Sequence, residues 1–131
     1  MNIRCRTISR GYAEGCAIVS TEPISFYGGV DPDTGIVIEK GHPLRGRSIS
    51  GKILLFPHGK GSTVGSYILY RLSRNGKAPL AIINKDAEPI VAVGAIISGI
   101  PMVDMPARDV IKAVKDNQQL TVDADNGKIT A

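Results

Sequence analysis

A chain of 131 residues is long enough to bury the core of one domain. Its 43% hydrophobic content, with 15 Gly and 8 Pro, excludes a disordered or collagen-like chain. A net charge of +4, spread along a sequence with 5% aromatics and no Trp, suits anionic small molecules or an acidic partner better than RNA, whose binding surfaces set stacking aromatics among basic residues.

Residues 3–8, Ile-Arg-Cys-Arg-Thr-Ile, alternate apolar and polar and predict one half-buried strand. Charges at Arg4 and Arg6 stand where a signal peptide needs an apolar stretch, so a cytoplasmic location is expected. Gly11 breaks the pattern, and Ala13 to Ser20 form a second strand. Thr21 to Gly51 is rich in Gly, Pro, Asp and Ser, with only Ile36-Val37-Ile38 strand-like. Gly28-Gly29 and Asp31-Pro-Asp-Thr-Gly35 are turn chemistry, and the two carboxylates read as turn residues rather than metal ligands. A loop this long in a compact domain is functional or covers a site.

Lys52-Ile-Leu-Leu-Phe56 is a continuous apolar run, as in a strand buried on both faces. After the loop Pro57-His-Gly-Lys-Gly-Ser62, Val64, Ile68 and Leu72 recur at helical spacing, and Asn75-Gly76 ends that helix. Pro79-Leu-Ala-Ile-Ile83 is another buried strand, so strand, crossover helix and strand imply a parallel pair. Pro89 opens a helix to about Ile97 with Gly99 as its cap, and Pro101-Met-Val103 is a short strand. Pro106 opens a further helix with Ala107, Val110, Ile111 and Val114 on one face. Leu120-Thr-Val122 and Lys128-Ile-Thr130 flank Asp125-Asn126-Gly127, a hairpin signal. The longest apolar run, Ile90 to Ile97, is interrupted by Gly94 and falls short of the ~18 residues of a membrane span, so no membrane partner is expected. The elements describe a single α/β domain over residues 1–131, with parallel central strands and β-rich ends.

The chemistry concentrates in Pro57-His-Gly-Lys-Gly-Ser-Thr-Val-Gly-Ser66, between a buried strand and a helix. Ligands of open α/β sheets bind outside the carboxyl ends of strands. Gly59 and Gly61 permit positive φ and close approach of backbone N–H groups, the helix N-terminus favours negative charge, and Lys60 adds a cation. Together they describe an anion site with the Ser62 hydroxyl in its middle. It is not a nucleotide P-loop, because Lys60 is followed by Gly61 and no Gly stands at position 54. The competing reading makes Ser62 an ordinary helix cap and His58 and Lys60 solvated loop residues. Cys5 and Cys16 are too few for an iron–sulfur cluster and read as core thiols, and His42 and His58 lack metal spacing, so no metal site is expected in this chain.

Gly51-Lys-Ile-Leu-Leu-Phe-Pro-His-Gly-Lys-Gly-Ser-Thr-Val-Gly-Ser-Tyr67, Ala78-Pro-Leu-Ala-Ile-Ile83 and Ala92-Val-Gly-Ala-Ile-Ile-Ser-Gly-Ile-Pro-Met-Val-Asp104 resemble the small subunit of the aconitase X family. Gly41-His-Pro-Leu-Arg-Gly46 belongs to the same pattern, and the resemblance runs from about residue 3 to 130. It implies a swivelling β/β/α domain that closes over an active site held mostly by a larger partner subunit, which carries a [4Fe-4S] cluster. It implies dehydratase activity: archaeal members with a separate small chain dehydrate (R)-5-phosphomevalonate to trans-anhydromevalonate 5-phosphate in a modified mevalonate route to isoprenoids, whereas others, often fused into one chain, dehydrate cis-3-hydroxy-L-proline. A separate small chain favours the first substrate. The family's catalytic serine, the proton acceptor, maps onto Ser62, and the anion-site reading of the same loop adds Gly59, Lys60, Gly61 and Thr63 as candidate substrate-binding residues. The 57–66 loop and the 21–51 stretch are expected to face the large subunit. The rival readings are a non-catalytic anion-binding module and a basic nucleic-acid-binding domain; the composition argues against the second.

Overall fold

The two uninterrupted apolar runs become the central strands. In the computed structural model, which describes residues 1–131, β4 (Ile53–Phe56) and β5 (Ala81–Asn84) are buried along their whole length. Leu54, Phe56 and Ile82 enter the core cluster on one face, while Ile53, Leu55, Ala81 and Ile83 enter the other. Burial on both faces is why these strands read as continuous rather than alternating. With β3 (Tyr12–Val19) and β6 (Met102–Asp104) they make a parallel centre in the order β3-β4-β5-β6.

Antiparallel strands flank that centre. β7 (Gln119–Asp123) pairs with β3 and with β8 (Lys128–Thr130), around the Asp125-Asn126-Gly127 turn. The expected single strand over 3–8 is instead two strands, β1 (Asn2–Arg4) and β2 (Arg6–Ser9), at opposite edges of the eight-stranded sheet. Cys5 alone separates them, so the sheet curls until its two edges are consecutive in sequence. The Cys5 N–H donates to Gly127 O at 2.9 Å, and Thr7 Oγ1 donates to Ala124 O at 2.5 Å across the curl. Arg6 locks β2 to β6 with a bidentate pair to Asp104 at 2.8 and 2.7 Å. Cys5, at the curl, and Cys16, within the interior strand β3, are half-buried rather than fully buried core residues.

After a short helical turn, α1 (Phe26–Gly29), the helices follow the parallel strands. α2 (Gly65–Arg74) buries Ile68, Leu69 and Leu72, and α3 (Pro89–Ser98) buries Val91 and Ala95. Val64, expected on the core face, is instead the exposed N-cap of α2. Gly94 brings α3 against α2: a Cβ there would stand 2.7 Å from Leu69 Cδ1 and 3.0 Å from the Ser66 Cα. The helix expected from Pro106 shrinks to α4 (Val110–Ala113), capped by Asp109, whose side chain accepts from the Lys112 N–H.

Residues 21–51 contain no strand of their own. Ile36 and Val37 make only isolated bridges to Ser48 and Val30. The segment nonetheless fills the core beside α2, burying Ile24, Phe26, Val30, Val37, Leu44 and Ile49. Phe26 meets Phe56 edge to face at 5.9 Å. Each such side chain contributes roughly 1.5–3 kcal/mol by burial, so this stretch is a packed wrap rather than a solvated loop.

Candidate active site at the carboxyl edge of the parallel strands

β4 ends at Phe56 and Pro57 turns the chain out of the sheet. Asn84, the buried last residue of β5, fixes that departure by donating from Nδ2 to Phe56 O at 2.9 Å. The loop then runs between two walls. On one side Ile24 N–H donates to His58 O at 3.3 Å and Lys60 N–H donates to Ile24 O at 3.1 Å. On the other lies the start of α3. A Cβ on Gly59 would collide with Val91 Cγ2 and stand 2.7 Å from Glu88 Oε2. Gly59 is therefore required by close packing rather than by positive φ. Gly61 has φ +91, and a Cβ there would stand 2.5 Å from Ser25 Oγ.

Ser62 projects at the exposed tip of this clamped loop. Its Oγ accepts from the Val64 N–H at 3.1 Å, and its carbonyl accepts from the Gly65 N–H at 3.0 Å. The bond to Val64 is one of the local turn bonds expected of a capping serine. Geometrically, however, the cap position of α2 is Val64, which has no capping side chain. The N–H groups of Gly61, Ser62, Thr63 and Ser66 donate to nothing else in the protein. A hydroxyl thus stands among open amide donors at the positive end of a ten-residue helix. That arrangement can receive an anion and can stabilise negative charge on the serine oxygen.

The other loop residues are placed differently from one another. Lys60 Nζ is paired with Glu39 Oε2 at 3.0 Å, so its charge is already partnered. Thr63 is exposed beside Ser62. His58 is exposed, and its Nδ1 donates to Gly59 O at 2.8 Å. Asp31 accepts from the Asp33 N–H at 2.9 Å, as a turn residue does. Sequence reasoning assigned no role to Glu39, Ser25 or Glu88, which line the loop, or to His42, which lies buried behind it on Pro23 and Leu44. No periodicity marks them; the only available signal was His42 within Gly41-His-Pro-Leu-Arg-Gly46.

A sequence model of the aconitase X swivel domain matches residues 2–131. The chain belongs to the aconitase X swivel domain family. A phosphomevalonate dehydratase small subunit from Methanothermobacter thermautotrophicus is 58% identical over 129 residues, covering 98% of each chain. Its counterpart from Thermococcus gammatolerans is 57% identical over 129 residues, covering 98% of this chain and 96% of that one. The crystal structure of Thermococcus kodakaraensis aconitase X in its holo-form superposes with a TM-score of 0.94 at 56% identity, over 98% of this chain and 96% of that one. The mixed sheet described above is therefore an aconitase X swivel fold. This swivel domain gathers no group of three His, Cys, Asp or Glu side chains fit to hold a metal. Cys5 lies between the edge strands, and Cys16 Sγ is engaged with Gln119 Oε1 at 3.7 Å. These residues do not fit an iron–sulfur cluster, and no chemical step of this chain runs through one.

Proposed function

We propose that this chain is the small subunit of a hydro-lyase that dehydrates (R)-5-phosphomevalonate to trans-anhydromevalonate 5-phosphate, with Ser62 as the proton acceptor. The observation that carries the site assignment is the exposed Ser62 hydroxyl among the open N–H groups of Gly61, Thr63 and Ser66. The near-full-length identity to phosphomevalonate dehydratase small subunits supports the substrate.

Dehydration of a 3-hydroxy acid removes a proton from the carbon beside the carboxylate; hydroxide then leaves the neighbouring carbon as the double bond forms. A serine takes that proton only as its alkoxide, and serine is far too weak an acid unless the site is strongly positive. Here the Val64 N–H, the open amides and the α2 dipole supply part of that potential. Lys60 supplies little net charge while Glu39 neutralises it. A larger subunit bearing a [4Fe-4S] cluster would supply the remaining positive potential and Lewis-acid assistance to the departing hydroxide. Exposed apolar side chains support such a partner: Val64 and Tyr67 beside Ser62, and Val93, Ile96 and Ile97 along α3.

The test is anaerobic co-expression with the large subunit and parallel assays on phosphomevalonate and cis-3-hydroxy-L-proline. Turnover of the first alone is expected. Turnover of the second alone would overturn the substrate. A complex inert towards both would favour a non-catalytic anion-binding module. Hydrogen exchange of the complex should show protection at 57–66 and in 21–51; protection confined elsewhere would overturn the docking face.

A further inference from the structure

The wrap makes one buried polar contact that packing alone does not require. His42 is 7% exposed, and both ring nitrogens are used. Nδ1 accepts from the Leu44 N–H at 3.0 Å, which obliges the other nitrogen to carry the proton. Nε2 then donates to Pro23 O at 3.1 Å, with Ser20 Oγ at 3.5 Å. Pro23 adjoins Ile24, the residue whose N–H and C=O hold the backbone of His58 and Lys60. The same segment reaches the loop a second time, through Glu39 on Lys60.

We propose that His42 is a positioning residue for Ser62, acting through Pro23 and Ile24, with Glu39 as the second tie of the same brace. The inference rests on Ser62 being the base. The glycines at 59 and 61 explain why a brace is needed. They let the loop pass between Glu88 and Ser25, but they also leave it little stiffness of its own. General base catalysis needs the oxygen within hydrogen-bond reach of the proton, and a displacement of about 1 Å can cost on the order of a hundredfold in rate. A cross-link within the packed wrap, from His42 to the Pro23–Ile24 segment that borders the loop, supplies that stiffness. The tautomer matters because only an Nε2–H can donate to the Pro23 carbonyl.

The two nitrogens can be separated by substitution in the assembled enzyme. His42→Gln places an amide N–H near the Nε2 position and keeps the bond to Pro23. His42→Asn places an oxygen near Nδ1, keeps the bond to Leu44 and loses Pro23. We expect His42→Asn to lower kcat about tenfold to a hundredfold with KM little changed, and His42→Gln to restore most of it. Amide exchange at Ile24 and Lys60 should quicken in His42→Asn and not in His42→Gln. Equal losses in both variants, tracking lowered melting temperature, would reduce His42 to a fold residue and overturn the proposal. Unchanged kcat and exchange in His42→Asn would overturn it as well. If His42→Asn does not assemble, Glu39→Ala decides through amide exchange, which the freed Lys60 charge does not set: faster exchange at Lys60 at unchanged melting temperature supports the brace, and unchanged exchange sinks it. Amide exchange does not depend on which residue is the base. Failure of the Ser62 assignment, seen as an active Ser62→Ala enzyme, is therefore distinguishable from failure of the brace.

Discussion

Two strand-to-helix junctions lie next to each other in this sheet and are finished in opposite ways. After β5, Glu88 folds its carboxylate over the start of α3, accepting from the Ile90 N–H at 2.6 Å and the Val91 N–H at 3.3 Å, and Pro89 removes a further donor. After β4, a serine accepts from a single N–H and the amides around it are left open. The first junction is built for stability, because helix-end donors left without partners are unfavourable. The second forgoes that gain. An open, positively polarised helix start is what a negatively charged reacting group needs, and a capping carboxylate there would occupy and neutralise it.

The largest expected effect tests that contrast directly. Ser62→Ala should lower kcat of the reconstituted enzyme by ~10²–10⁴-fold or more while shifting its melting point only as a lost turn bond would. Ser62→Gly should be equally inactive, since glycine is tolerated at helix starts but accepts no proton. If either variant kept more than about a tenth of wild-type kcat, under ~1.4 kcal/mol of barrier, the two junctions would be alike and the base assignment would fail.

Next in size is Gly59→Ala, which drives a methyl group into Val91 and Glu88 where the junctions touch. Overpacking of this kind costs typically 1–3 kcal/mol, so thermal unfolding of the complex should shift accordingly and turnover should fall with it. Glu88→Ala should cost about 0.5–2 kcal/mol in denaturant unfolding yet keep substantial turnover when folded. A larger loss of rate than of stability in Glu88→Ala would show that both junctions serve the chemistry.

The smallest effect lies at the far edge of the same strand ends. Burial first, and the Asp104 charge second, push the Cys5 thiol up from its ordinary 9.0 to about 11. The folded state favours the protonated thiol. Its contribution is therefore complete below 9.0 and is lost as pH rises through about 11. The alkaline decline of the denaturation midpoint across that window should be shallower in Cys5→Ala, and alkylation of native Cys5 should stay slow at neutral pH. Rapid neutral-pH labelling would contradict the expected burial.

What could be read in the sequence was whatever repeats at a helix or strand period or ends on a characteristic residue. The runs at 53–56 and 81–84, the Pro89 start and Gly99 end of α3, and the Asp125-Asn126-Gly127 turn are of that kind. Ser62 was conspicuous because glycines isolate it. The split of residues 3–8 left only a faint trace: Ile3 and Ile8 are five residues apart and so fall on opposite faces of any single strand, and Ile3 enters one core cluster while Ile8 packs against the other; pairing with Ile129 and with the Met102–Asp104 edge separates the two strands. The brace was hidden for a different reason. Ile24, Phe26, Val30, Val37, Leu44 and Ile49 are buried without any fixed spacing, and the Glu39–Lys60 and His42–Pro23 contacts arise from tertiary packing. Glu88 drew no reading from the sequence, although its side chain accepts from the first N–H groups of the neighbouring helix.

The curl of the sheet also sets an order in time. β1 pairs only with β8, joining Asn2 to Thr130 and Arg4 to Lys128, while the next residues form the opposite edge on β6. On a chain emerging from the ribosome, β2 can find β6 while β1 has no partner until residues 128–130 appear. The parallel centre and its serine loop can thus assemble before β1 pairs with β8 and the sheet closes. Until then, β1 and the exposed side of β7 present open strand edges, the state in which such a chain is most prone to pair with the wrong neighbour.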